Sequence, residues 1–275
     1  MRIACLQTQP KNSIESALKE AVELADEAIK DKAEFLFLPE YCGGIISNGS
    51  MYNPPSDFEK DHLFLREIKN YCKLNKIYIF IGSIAIKSKS SKIFNRGYLI
   101  NPTGKIVSQY DKIHLFDIFL DKELHKESDT VQNGNKAVLI KTKHGTFGHT
   151  ICYDIRFPHL YRKLSQAGAQ ILLVPAAFTK VTGKAHWHIL NRARAIENIS
   201  FVISACSFGK IAGGGECYGH SLIIDPWGKV LKDGGKGRGV IADNIDINLI
   251  STLREKLPSL KHDKKINLKY FNLDE

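Results

Sequence analysis

The chain has 275 residues, 43% of them hydrophobic, and a formal net charge of +10 at pH 7. That length suits one large α/β or sandwich unit, and no run approaches the ~20 apolar residues of a membrane span. Lysines are scattered rather than gathered on a basic helix or alternated with aromatics, which argues against a nucleic-acid reader.

The opening residues, MRIACLQTQP, read as a strand over 2–7, without the h-region and cleavage site of a signal peptide. Asn12 and Glu15 have capping-box spacing. After them Ile14, Ala17, Leu18, Ala21, Val22, Ala25, Ala28 and Ile29 recur on one helical face. EFLFLPE (34–40) is a strand covered on both faces. A Gly/Asn/Pro-rich loop covers 43–56, a second amphipathic helix runs over 57–74, and IYIFIGSIAI (77–86) is another buried strand. NRGYLINPTGKIVSQY folds as a hairpin about residues 101–104, and a second hairpin turns at KHGT (143–146) and leads to Cys152.

Pro158 opens a helix that ends near Gly168. QILLVP (170–175) is a strand, 184–199 a helix, FVISAC a strand, and GHSLIIDPWGKVL a hairpin turned at 225–228. A strand at 239–245 and a helix at 247–257 follow. GGGECYGH (213–220) and DGGKGRG (233–239) read as hairpin loops, since neither joins a strand to a helix as a phosphate-cradling loop must. Interleaved β-α-β units and hairpins, with no linker or repeat, predict one domain over 1–260 and a tail over 261–275. Two stacked sheets flanked by helices hold that many strands better than one wide sheet.

The six cysteines form no CxxC pair and no zinc-type spacing with His, so free thiols in a reducing, cytoplasmic compartment are expected. Cys42 and Cys206 read as small core residues. Cys152 differs: HTICYDIRFP (149–158) sets it between strand-type residues and a helix-starting Pro, where a nucleophile is exposed beside backbone N–H groups. A Cys–His pair is one way to activate it, with His149, His159, His186 and His188 as candidates. A second way uses strand ends. Glu40 closes FLPE, Lys112 follows a hairpin strand, and the three ends can meet at one sheet rim. A buried Glu40 with raised pKa can take the thiol proton, and Lys112 with the Tyr153 N–H can hold an oxyanion. Arg156 either pairs with Asp154 or Glu40, or grips a substrate carboxylate through its fork. Arg192, Arg194 and Asn198 read as helix-packing residues and Trp187 as a core or interface anchor. No metal-ligand spacing and no cofactor motif appears.

At these residues the chain resembles the nitrilase superfamily of carbon–nitrogen hydrolases, and within it the Nit-type amidases. LFLPEY, YDKIHLFD, KESDT, GHTICYDIRFP, TGKAHWHILNRARAIEN and YGHSLIIDPWGKV occur in the family's order, from RIACLQ to LREKLPSLKH. The resemblance implies an α/β fold, a four-layer αββα sandwich that forms a homodimer through helices beside the active site. It implies a Glu–Lys–Cys triad at Glu40, Lys112 and Cys152, with Glu127 supporting the lysine and substrate. The implied reaction is hydrolysis of a small amide, deaminated glutathione or an ω-amide such as 2-oxoglutaramate, through a thioester. An N-carbamoyl amino acid hydrolase, a true nitrilase and a non-catalytic scaffold are the alternatives. Residues 118–126, IFLDKELHK, lack the Pro or Gly usual at this point of the branch.

Overall fold

The computed structural model describes residues 1–49, 52–120 and 123–272. In chain order the elements are β1 (Arg2–Gln7), α1 (Ile14–Lys30), β2 (Phe35–Phe37), β3 (Ser56–Asp57), α2 (Leu63–Asn75), β4 (Tyr78–Lys87), β5 (Ile93–Ile100) and β6 (Ile106–Asp111). Then come β7 (Asp117–Leu120), β8 (Glu123–Lys126), β9 (Val138–Thr142), β10 (Gly145–His149), α3 (Pro158–Gln166), β11 (Ile171–Leu173) and α4 (Lys180–Asn198). The last are β12 (Phe201–Ser204), β13 (Phe208–Lys210), β14 (Glu216–Tyr218), β15 (Leu222–Ile224), β16 (Val230–Asp233), β17 (Gly239–Asn244) and α5 (Asn248–Lys256).

One sheet has the order β17-β1-β2-β4-β5-β6, with β3 attached to β4; the other runs β16-β15-β12-β11-β10-β9. Their facing sides share an aromatic and aliphatic core, in which Phe35 and Phe80 meet Phe147 at 5.6 and 5.0 Å between ring centres. α1 and α2 cover the outer side of the first sheet through Ala21, Leu24, Phe64 and Ile68. α3 and α4 cover the second through Leu160, Leu164, Trp187 and Ala195. These layers make the αββα sandwich that the resemblance implied. In each sheet the central strands are parallel: β1, β2 and β4 in one, β10, β11 and β12 in the other. Parallel neighbours need crossover connections, and residues just past their C-terminal ends are the ones offered to a site.

Four local expectations change. The α1 cap is Ser13, whose hydroxyl accepts the Ser16 N–H at 3.2 Å, not Asn12. α2 begins at Leu63, because Ser56 and Asp57 pair with Ala85 and Ile86 and the Asp57 side chain accepts the Phe58 N–H. Such local side-chain bonds compete with a helix start. α4 begins at Lys180, earlier than read. Gly183, a poor helix former, sits inside it because a Cβ there would lie 2.4 Å from the Tyr218 ring. DGGKGRG is not a hairpin loop: β16 pairs with β15 and β17 with β1, so the segment crosses from one sheet to the other. Within 118–126, β7 and β8 pair as a hairpin, and residues 121 and 122 lie outside the described residues.

Candidate active site

Glu40 stands past the end of β2. There the backbone of Leu38 and Pro39 runs against Gly82 of β4, whose Cβ, if present, would lie 2.1 and 2.4 Å from their carbonyl oxygens. Glycine allows this approach, and β4 shifts register at the same point, between Ile81 and Ile84. Lys112 follows β6 directly, and Glu127 opens a short 3-10 turn after β8. Cys152 opens another such turn, Cys152–Arg156, between β10 and α3. All four line one pocket, with Tyr41 and Tyr153 beside them. Cys152 is 8% exposed; Cys206, by contrast, is 0% exposed and lies in the core, as expected for it.

The buried Lys112 ammonium lies 2.8 Å from Glu40 Oε1 and 2.9 Å from Glu127 Oε2. Glu40 Oε1 also accepts from Asn95 Nδ2 at 2.9 Å, and Oε2 from the Ala177 N–H at 2.9 Å. Glu127 accepts both of its oxygens' worth of donors: Lys112, the Phe116 N–H at 2.7 Å, the Tyr41 hydroxyl at 3.2 Å and Asn95 at 3.3 Å. The cluster thus sets two carboxylates around one cation.

Burial alone pushes the Glu40 carboxyl up, but the Lys112 charge and the hydrogen bonds from Lys112 and Ala177 outweigh it, and the group sits below its ordinary value. This corrects the expectation of a raised Glu40. Burial also works against the Lys112 charge, and Glu127 and Glu40 overcome it, holding the ammonium well above its ordinary value. Cys152 is pushed well above the usual thiol range by burial and by the neighbouring Glu40 charge, with Lys112 acting the other way. The resting state therefore pairs a neutral thiol with a carboxylate, not a thiolate with a neutral acid.

The turn at Cys152 is strained. Its φ is +47°, a left-handed value that non-glycine residues adopt at a cost. Asp154, fully buried, holds the turn by accepting the Ile151 N–H at 2.9 Å, the Tyr110 hydroxyl at 2.7 Å and the His114 N–H at 3.0 Å, with His114 Nδ1 at 2.7 Å. The Cys152 N–H bonds Pro175 O, and the Asp154 N–H bonds Ile151 O. The Tyr153 N–H between them has no acceptor among the described residues, as expected for a donor in the first turn of a helix.

Arg156 pairs with neither carboxylate once suggested for it. Asp154 and Glu40 have the partners just named, and among the described residues no carboxylate forms an ion pair with Arg156. Its guanidinium lies over the rings of Tyr153 and Phe178, at 5.7 and 5.6 Å, both pocket residues, and 3.3 Å from His186 Nδ1. The Cys–His alternative fails on contacts: no hydrogen bond among the described residues joins Cys152 to a histidine. His149 is buried, stacked on Tyr110 at 5.2 Å, and pushed down to about 3 by burial. His188 faces Asp233 instead. Arg194 and Asn198 pack α4, bonding Ile155 O and Arg194 O, and Trp187 is a core residue whose Nε1 donates to His220 O.

Sequence reasoning missed Asn95, Tyr41, the Ala177 N–H and the Asp154–Tyr110–His114 group. A buried Asn inside the apolar strand IFNRGYLI was the one visible sign, because a buried amide needs partners. Among the described residues the histidine and carboxylate group with metal-ligating geometry lies elsewhere, at His188, His220 and Asp233.

Stacked sheets between helices, with a cysteine, a lysine and paired carboxylates at one rim, are the build of nitrilase-type hydrolases. The chain matches the family described as carbon-nitrogen hydrolase over residues 2–255. It belongs to that family, within the nitrilase superfamily, as an amidase-type hydrolase of carbon–nitrogen bonds other than peptide bonds. It is similar to a deaminated glutathione amidase of Dictyostelium discoideum, 39% identical over 98% of this chain and 95% of that one. It is 31% identical to the omega-amidase NIT3 of Saccharomyces cerevisiae, over 89% of this chain and 86% of that one. The solved structure of Saccharomyces cerevisiae Nit3, a member of branch 10 of the nitrilase superfamily, matches with TM-score 0.82 at 30% identity, covering 95% and 96% of the two chains. The C. elegans NitFhit protein matches with TM-score 0.87 at 31% identity, over 96% of this chain and 65% of that longer one.

Proposed function

We propose that the chain is a cysteine-dependent amidase that hydrolyses a small carboxylate-bearing amide of the deaminated-glutathione or ω-amide type, such as 2-oxoglutaramate. The observation that carries this reading is Lys112 held between Glu40 and Glu127 in the pocket that Cys152 opens into. Glu40 accepts the Cys152 proton as the sulfur attacks the amide carbonyl carbon. Lys112 and the Tyr153 N–H receive the developing oxyanion, a role worth several kcal/mol in a water-poor site. The carbonyl re-forms, the C–N bond breaks, and the proton on Glu40 passes to the departing amine or ammonia. Glu40 then takes a proton from water as its oxygen attacks the thioester carbon. Collapse releases the carboxylic acid and returns that proton to the Cys152 sulfur.

Glu127 keeps Lys112 charged and aimed, since its oxygens are already occupied by four donor groups. Side chains and one backbone N–H perform each of these steps, so the scheme uses no metal and no cofactor. The catalytic unit spans 1–260 and the 261–275 segment lies outside it. We place the enzyme in the cytoplasm, where its buried, free cysteines stay reduced. Among the described residues no helix is long and apolar enough to cross a membrane.

Arg156 selects the substrate: its fork stands unpaired with carboxylates above two pocket aromatics and suits a distal carboxylate. The test is acid formation, followed by mass spectrometry, from 2-oxoglutaramate, deaminated glutathione, a neutral amide of equal length, an N-carbamoyl amino acid and a nitrile. The carboxylate-bearing amides should lead in kcat/KM. Arg156→Ala should lower their kcat/KM about ten- to a hundredfold, the worth of a charge-assisted contact, and leave the neutral amide nearly unchanged. Equal loss on charged and neutral amides would make Arg156 structural; preference for the N-carbamoyl compound or the nitrile would move the chain to another activity of the superfamily.

A further inference from the structure

His188, His220 and Asp233 are distant in sequence and meet outside the pocket. α4 brings His188, the connection from β14 to β15 brings His220, and the end of β16 brings Asp233. One donor atom from each lies within 4.8 Å of the other two. Asp233 Oδ2 lies 3.0 Å from His188 Nε2 and 3.2 Å from His220 Nδ1, and Oδ1 is 2.9 Å from His220 Nδ1. Ligand atoms bound at ~2.0–2.1 Å around a tetrahedral zinc ion stand about 3.3 Å apart. The contacts to Asp233 are therefore within a few tenths of an ångström of coordination edges.

The donors are also held in place. His220 has φ +54°, its N–H donates to Gly235 O at 2.8 Å, and its carbonyl accepts Trp187 Nε1 at 2.7 Å. A left-handed non-glycine residue is a local cost that points to a purpose for its side chain. The Tyr218 ring stacks on His220 at 4.5 Å and meets His188 edge-on at 6.2 Å, fixing both imidazoles from one side. Side-chain exposures of 33% for His188 and 34% for Asp233 leave the mouth open to solvent. As mere ion pairs, such exposed contacts would add little to the fold, which does not account for the strain at His220. Two imidazoles and a carboxylate are the donor set of zinc and its first-row neighbours.

We infer that His188, His220 and Asp233 form a second site, for a divalent transition metal of the zinc class, with solvent completing the coordination. A bound ion would tie α4 to the segment that crosses between the two sheets. The inference does not depend on the proposed substrate or on the roles assigned in the pocket.

The test uses the full chain without a histidine tag, carrying Cys152→Ala so that the pocket thiol cannot compete for metal. Zn²⁺ is titrated by calorimetry and Co²⁺ by visible absorption. One ion per chain should bind, the Co²⁺ spectrum should lack thiolate charge-transfer bands, and Zn²⁺ should raise the melting temperature, as any ligand of the folded state does. His188→Ala and Asp233→Asn should each weaken binding by at least about tenfold, the scale lost when even an outer partner of a zinc ligand is removed. Both sit on part-exposed positions, so circular dichroism should show intact folds. No saturable binding, thiolate bands, or undiminished binding in both variants would overturn the site.

Discussion

Glu40 and Glu127 are the same residue type bound to the same lysine, yet their surroundings divide the work. Glu127 Oε1 and Oε2 are taken up by Lys112, Phe116, Tyr41 and Asn95. Glu40 carries three donors and is the carboxylate whose charge bears more strongly on the Cys152 thiol. The division predicts distinct defects. Cys152→Ala should abolish turnover while leaving the fold intact, and intact-protein mass spectrometry of the parent with a slow substrate should show an acyl adduct. Lys112→Met, of similar length but uncharged, should cut kcat by about a hundredfold or more, the scale of losing an oxyanion donor. It also leaves the buried Glu40 and the largely buried Glu127 without their cation, so a lower melting temperature should accompany the loss. Should Lys112→Met raise KM alone, its part in the oxyanion would be wrong.

The Cys152–Arg156 turn carries the nucleophile in an unfavourable backbone conformation, and Asp154 is what holds it there. An Asn in its place has one acceptor oxygen, and its NH₂ must face either the Ile151 N–H or the His114 N–H, which bond different oxygens of Asp154. Asp154→Asn should therefore lower kcat and slow alkylation of Cys152, with KM little moved, because the pocket walls from Tyr41 and Phe178 are untouched. A variant that is merely less stable, with kcat and alkylation rate unchanged, would reduce Asp154 to a structural role. The hairpin of β7 and β8 matters at the same scale. It delivers Glu127 to Lys112, so one short element that lines the pocket through His125 and Lys126 also sets the charge of the site.

Across the molecule, the pairing of Lys112 with its carboxylates ties stability to pH. Glu40 has its folded pKa below the ordinary value. Its contribution is present above the ordinary carboxylate pKa and is lost as pH falls through the lowered one. Lys112 is held above its ordinary value. Its contribution is complete below the ordinary lysine pKa and is lost only as pH rises through the raised one. Denaturant midpoints should be flat through neutrality and fall on the acid side, with a shallower fall in Glu40→Gln; equal acid slopes would remove Glu40 from the account. The homodimer that the resemblance implies belongs to the same scale. Val181, Ile189 and Ile196 share one face of α4 and are 61%, 68% and 49% exposed, and Trp227, 67% exposed, stands in the turn whose Gly228 adjoins Ile196. Large apolar groups exposed together mark an interaction surface. Sedimentation should give a dimer for the parent and a monomer for Ile189→Asp; a monomeric parent at micromolar concentration would leave that face without its proposed partner.

Local chemistry was legible from the chain alone. Apolar runs bounded by Gly, Pro and Asn marked β2, β4 and the hairpins, because strand burial and turn geometry depend on near neighbours. The placement of Glu40, Lys112 and Cys152 beside strand ends suggested one rim, and the six family-order segments added Glu127 to it. Direction and partnership were not legible. An apolar run before Glu40 argues for a raised pKa, and a lysine 72 residues further on reverses it. Asn95 and the Ala177 N–H act on Glu40 only because β5 and the segment after β11 come to the same rim. His188, His220 and Asp233 have no spacing that suggests a ligand set, and only the pairing of β16 with β15 and the packing of α4 on β14 and β15 bring them within reach of one another. Burial and periodicity are properties of a segment, whereas the sign of a pKa shift and the identity of a partner belong to contacts between segments, which only the packed sandwich decides.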